Sequence, residues 1–111
     1  MTEAPLRYFY RIVKTDPPAL DDFITNASLG RPVPDDPALA EVWDGVSVQS
    51  TLNQARRKRR VSPALGRYIA ILRLPTDGSA RYKRTLGAGG HHTIWADPAH
   101  LLAAVVSVLP A

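Results

Sequence analysis

Residues 6–14, LRYFYRIVK, alternate with the period of a strand, setting Leu6, Tyr8, Tyr10 and Ile12 on one side and Arg7, Phe9, Arg11 and Val13 on the other. Thr15-Asp16-Pro17-Pro18 ends that run. In ALDDFITNASLG, 19–30, Leu20, Phe23, Ile24 and Ala27 return at helical spacing, with Asp21 and Asp22 in the first turn and Gly30 at a C-cap position. The spacing predicts a helix there, a proline-rich loop over 31–37 and a short helix over 37–45, with Pro37 in its first turn. GVSVQ, 45–49, alternates again as a short strand. Thr51, with Gln54 three residues on, marks the start of a helix over 51–60.

RYIAILRL, 67–74, is apolar on both faces, which predicts a central strand. Turn residues 75–79 lead into ARYKRT, 80–85, so that 67–85 reads as a β-hairpin. Residues 86–90 read as a loop and 91–97 as a strand. A helix over 97–105 is entered through Asp97 and Pro98, and a last strand over 105–110 is stopped by Pro110. This order predicts a single α+β domain built on a mixed, mostly antiparallel sheet with flanking helices. Strands 6–14 and 45–49 and the 67–85 hairpin carry most of the pairing. Trp43 and Trp95 read as packing residues.

The 111 residues suffice for one domain, and 45% apolar with 22% charged residues is the balance of a globule able to bury a core. Cysteine is absent, which removes disulfides and thiolate metal sites. Neither MTEAPLRYFYRIVK nor LLAAVVSVL has the apolar run of a targeting or membrane segment, so a cytoplasmic chain with no membrane partner is the expectation. Charge is divided unevenly: residues 1–50 hold four basic and eight acidic residues, residues 51–111 ten and two, a net of −4 against +8. A bipolar surface follows, with one side suited to phosphates or an acidic partner.

The run RRKRR turns about 100° per residue on a helix, so Arg56, Arg57, Lys58, Arg59 and Arg60 cannot all point outward, and Arg59, four residues from Ala55, falls on the inward stripe. Together with Arg81, Lys83 and Arg84, and with Tyr82 interleaved, these residues suit a nucleic-acid backbone or an acidic protein. A merely solvated basic face is the plainer alternative. His91 and His92 are neighbours on a strand and face opposite sides, and His100 has no carboxylate at ligand spacing, so no metal is expected. No nucleophile elbow of Gly-x-Ser-x-Gly type occurs. Gly87-Ala88-Gly89-Gly90 lacks the lysine and hydroxyl of a phosphate-binding loop.

An arginine in the first strand (FYRIV), a Gly-x-Ser strand running into a capped helix (GVSVQSTLNQARRKRR) and a buried strand (GRYIAIL) follow one another over residues 6–74. This order resembles the ADP-ribosyltransferase-like superfamily, in particular small bacterial members such as RES-domain NAD-consuming toxins, DarT-type enzymes and RNA 2′-phosphotransferases. The resemblance implies a domain that binds NAD or a related nucleotide and cleaves the nicotinamide bond or transfers ADP-ribose as a bacterial toxin or modifier. It implies that Arg11 clamps phosphate or ribose, that Ser47 bonds the ribose, and that Gln49, Ser50 and Thr51 sit beside it at a helix N-terminus. Many members supply a catalytic glutamate from a later strand, but Glu3 and Glu41 are the only glutamates here. The resemblance then leaves His92 as the catalytic substitute beside Arg11 and Ser47, with His91 or Gln49 as alternatives. Its spatial requirement is that Arg11 and Ser47 meet at one cleft. A noncatalytic basic module, acting through 56–60 and 81–84, is the competing expectation.

Overall fold

Strand β1 (Leu6–Val13) takes the centre of the protein because both of its faces carry large apolar side chains, and it runs between β2 (Val46–Gln49) and β3 (Tyr68–Pro75). The computed structural model describes residues 6–75, 80–85 and 90–111. Three more strands, β4 (Arg81–Arg84), β5 (His91–Trp95) and β6 (Val105–Pro110), complete a six-stranded sheet of order β4-β5-β2-β1-β3-β6. Every pairing is antiparallel, so the chain is an α+β domain and the expected parallel component is absent among the described residues.

The face carrying Phe9 and Val13 is the main core: Val46, Val48, Ala70, Leu72, Leu74 and Ile94 line it, and Phe23 and Leu101 cover it. Leu101 comes from helix α3 (Pro98–Ala103), which packs on the 3₁₀ turn Leu20–Phe23. Two other helices precede α3, α1 (Pro37–Val42) and α2 (Leu52–Val61), and α2 lies against β1 and β2 with Ala55 buried. The three α-helices among the described residues start at side-chain caps, the expected Thr51 and Asp97 and also Asp36, which accept from the backbone N–H of Gln54, Ala99 and Ala38 at 3.2, 2.8 and 2.9 Å. Arg59, on the inward stripe of α2, reaches past the core and donates from Nε to the carbonyl of Gly66 at 2.9 Å.

Two expectations are corrected. The 67–85 segment is not a hairpin, because β3 pairs with β1 and β6 while β4 pairs with β5 at the far edge. A strand apolar on both faces gains most between two long neighbours, whereas the charged RYKR suits an edge. Of the expected turn over 75–79, residues 76–79 lie outside the described residues, as do 86–89 of the expected glycine loop. Residues 19–30 also do not form a helix beyond the 3₁₀ turn, since Ile24 is extended with φ −75° and ψ 139°. The Asp22 carbonyl, which a helix would present to residue 26, accepts instead from Arg11 Nε at 2.6 Å, and the Asp22 carboxylate accepts the backbone N–H of Lys14 and Ala19. Thr25 and Ser28 then close a side-chain turn of their own.

Phe9 is fully enclosed, whereas Val61 is 80% exposed. Urea unfolding of Phe9→Ala is expected to show a loss of about 3–5 kcal/mol, and Val61→Ala a change within about 0.5 kcal/mol.

Candidate functional site

β1 and β2 meet in register only at Tyr10 and Gln49. Continuing that register would set Ile12 against Ser47, but the ladder stops and the strands part. The guanidinium of Arg11 fills the opening: Nη1 donates to the Ser47 carbonyl at 2.6 Å while Nε holds the Asp22 carbonyl. Both acceptors are backbone oxygens, so the positive charge is hydrogen-bonded but not neutralised by contact with a carboxylate. Burial pulls the Arg11 pKa down to about 10, against a smaller upward pull from Asp22. The guanidinium also lies 5.9 Å from the centre of the Phe23 ring.

The parted strands open into a cleft of about 670 Å³. Arg11, Ser47 and Gln49 line it from the sheet, Asn26 and Arg31 from the irregular segment, and Lys58 from α2. Lys58 lies three residues beyond the buried Ala55 and so faces the sheet, with no hydrogen-bond acceptor among the described residues. Its pKa is lowered, first by burial and then by repulsion from Arg11. Among the basic residues of α2, then, one turns into the cleft, while Arg56, Arg57 and Arg60 stay exposed.

Behind Ser47, outside the residues that line the cleft, runs a line of hydrogen bonds. Ser47 Oγ contacts His91 Nε2, His91 Nδ1 lies 2.9 Å from Thr85 Oγ1, and Thr85 Oγ1 lies 2.7 Å from Thr93 Oγ1. The pairing of β2 with β5 makes this line, because Ser47 opposes Thr93 and Gln49 opposes His91 on one face. The His91 pKa is lowered by desolvation and then by the charge of Lys58, and a hydrogen bond with the Thr85 backbone offsets part of this.

His92 takes the other face of the sheet, away from Ser47. Its Nδ1 donates to the Gly90 carbonyl at 3.0 Å, its Nε2 faces Arg7 Nη2 at 3.3 Å, and its ring packs 5.3 Å from that of Phe9. His92 is therefore not beside Ser47, as expected; His91 is, because alternate residues of β5 point to opposite faces. Ser50 and Thr51 do not line the cleft. Thr51 caps α2, Ser50 Oγ donates to Gln54 Oε1 at 2.8 Å, and the Ser50 N–H donates to the Gly90 carbonyl at 2.8 Å. A side chain at Gly90 would overlap Gln54 and Ser50, so this glycine lets β5 enter close to the start of α2.

The remaining basic candidates are engaged elsewhere. Lys83 pairs with Glu41, and Arg81 stacks over Trp95 at 4.3 Å, with Arg84 exposed on the edge strand. Arg56, Arg57, Arg59 and Arg60 border a separate hollow beside Pro110 and Ala111. Among the described residues no three histidine or carboxylate side chains gather as metal ligands, and no helix is long and apolar enough to cross a membrane. Comparison of the chain with family models, with curated proteins and with solved structures returns no match in any of the three.

Arg11→Ala leaves two backbone carbonyls without their donor, so its unfolding free energy is expected to drop by about 2–4 kcal/mol in urea titration. His91 gives a pH signature. Its folded pKa lies below the unfolded value of 6.5, so between the two the unfolded state binds more protons, and stability falls as pH drops through that window. Comparing urea midpoints at about pH 7.5 and about pH 5, His91→Gln should lose less stability on acidification than the unaltered chain.

Proposed function

We propose that the cleft is a nucleotide site of ADP-ribosyltransferase type, taking NAD or a related nucleotide and serving cleavage of its glycosidic bond or transfer of ADP-ribose. The observation that carries this reading is that Arg11 on β1 and Ser47 on β2 line one cleft, with Lys58 placed over the same space. Its volume falls within the ~300–1,000 Å³ typical of small-molecule sites. Arg11, Lys58 and Arg31 supply cationic groups for phosphate oxygens, while Ile12 and Leu65 supply apolar wall for a ring. Asp21 and Asp22 also line the cleft, but the Asp22 carboxylate is occupied by two backbone N–H groups.

In this reading Arg11 has two duties. Two of its nitrogens hold the site's walls, and Nη2, with no acceptor among the described residues, is the one left for a ligand. Lys58 is the mobile cation: an anion between it and Arg11 relieves their mutual repulsion and restores a proton affinity that burial lowers. In this reading Ser47 bonds the ribose, and His91, in contact with it, substitutes for the missing glutamate. Calorimetric titration with NAD is expected to show saturable binding, weakened about tenfold or more in Lys58→Gln, a loss of about 1.4 kcal/mol or more. No heat, together with no change in the backbone amide resonances of residues 11, 47 and 58, would remove the nucleotide reading.

A second reading rests on the other basic surface. Arg56, Arg57, Arg59 and Arg60 border one hollow of about 690 Å³, and among the described residues none of them has a carboxylate partner. A polyanion held there would bind with a steep salt dependence. Replacing Arg56, Arg57 and Arg60 by glutamine should flatten the slope of log affinity against log salt by about 0.7–0.9 for each phosphate no longer neutralised. Affinity for single-stranded and duplex nucleic acid measured across a salt series checks this, and an unchanged slope rejects it.

A further inference from the structure

Ser47, His91 and Thr85 are joined as a nucleophile, a base and an orienting group are joined in enzymes that use a serine covalently. A ligand-holding serine needs only its hydroxyl. Here both imidazole nitrogens are engaged, one by Ser47 and the other by Thr85, and Thr85 is itself fixed by Thr93. Thr85 is further tied to His91 through its backbone N–H, which donates to the His91 carbonyl at 3.0 Å. Ser47 and His91 both keep part of their surface open, whereas Thr85 and Thr93 are buried behind them. A half-buried serine–histidine pair backed by a buried threonine pair is an arrangement that suits a general base.

We propose that Ser47 is a nucleophile activated by His91 and positioned through Thr85, and that it accepts a group from an electrophile borne on an anionic ligand. The proton on the imidazole is assigned to Nδ1, donating to Thr85, which leaves the Nε2 lone pair to accept from the Ser47 hydroxyl. As Ser47 Oγ forms its bond to the electrophilic centre, its proton passes to Nε2. The bond to the leaving group breaks with its electron pair going to that group. The imidazolium then returns the proton to the leaving group or to water, and attack by water, with His91 again as base, frees Ser47.

The charges around His91 favour its unprotonated form, the form in which a base acts. Lys58 faces it from α2 and His92 adjoins it on β5. Arg11 of β1 stands next to Lys58, and Ser47, Thr85 and Thr93 are the uncharged groups from β2, the end of β4 and β5. Burial and the Lys58 charge hold the ring unprotonated near neutral pH, so it is available as a base without prior loss of a proton. The same cations favour the serine alkoxide as it develops and draw an anionic substrate to it. The relay stands whichever nucleotide the cleft takes.

The test is modification of the full chain by a small uncharged fluorophosphonate, followed by intact mass and peptide mapping. A single adduct on Ser47 is expected, with no adduct in Ser47→Ala. His91→Asn should slow labelling about 100-fold or more. Thr85→Val should slow it and move the pH midpoint of the labelling rate, and Thr85→Ser should restore both. In the unaltered chain the rate should rise with pH through a midpoint below 6.5. Circular dichroism of each variant separates loss of reactivity from loss of fold. No adduct on the folded chain, or equal rates in His91→Asn and the unaltered chain, overturns the proposal. Labelling of Ser47 in a protein that does not bind NAD would retain the relay and reject the nucleotide reading; NAD binding without labelling would do the reverse.

Discussion

The guanidinium of Arg11 reaches from β1 across the strand gap to the Ser47 carbonyl of β2 and ties it to the Asp22 carbonyl of the 3₁₀ turn, and the cleft is arranged around that bridge. The sheet is two three-stranded halves, β4-β5-β2 and β1-β3-β6, whose shared border carries one registered pair, Tyr10 with Gln49. Past that pair a missing ladder would leave buried carbonyls without donors, each costing about 1–3 kcal/mol. Arg11 supplies the donors from a side chain that is long enough to cross the gap and flat enough to lie in it. Its bond to the Asp22 carbonyl also ends the helical tendency of residues 19–30, so the segment that walls the cleft is shaped by the same residue that holds the strands apart.

Burying that charge sets the electrostatics of everything nearby. With carbonyls as its direct partners, Arg11 keeps its full positive charge, and Lys58 is held beside it at a lowered proton affinity. Lys58 in turn lowers the proton affinity of His91. All three groups have lowered proton affinities, and burial is the first cause in each. An anion entering the cleft opposes all of these shifts at once, so by linkage its binding takes up protons and raises the basicity of Lys58 and His91 together. Otherwise the imidazole beside Ser47 favours its unprotonated form.

Much of this was legible from residue pattern. The strands of alternating or doubly apolar composition, the basic helix, and the caps at Thr51 and Asp97 follow from local chemistry, and they form where that chemistry predicts. What local pattern does not carry is partnership between distant strands. The turn residues after β3 suggested a hairpin, but register with β1 along the whole of β3 outweighed proximity in sequence. Without the pairing of β4 with β5 and β5 with β2, nothing brings Thr85 and His91 to Ser47. The choice between His91 and His92 is likewise a question of strand register, since a shift of one residue exchanges their faces. Lys58 was within reach of pattern: three residues from Ala55, it lies on the inward side of α2 as surely as Arg59, four residues away.

A fold seeking stability alone would have closed the gap. Zipping β1 to β2 along their length would satisfy the Ser47 carbonyl by a ladder bond, with no cation to strip of water and no repulsion between Arg11 and Lys58. A buried charge is weak support for stability compared with apolar packing of the same volume. Yet the chain places arginine at a position flanked by Phe9 and Val13, where the alternation calls for an apolar side chain, and a lysine over it from the opposite layer. Local rules are broken here on two elements at one point, and the product of both departures is a single cationic cleft ending at a serine and a histidine. It is this convergence of two departures that the proposed nucleotide reading rests on.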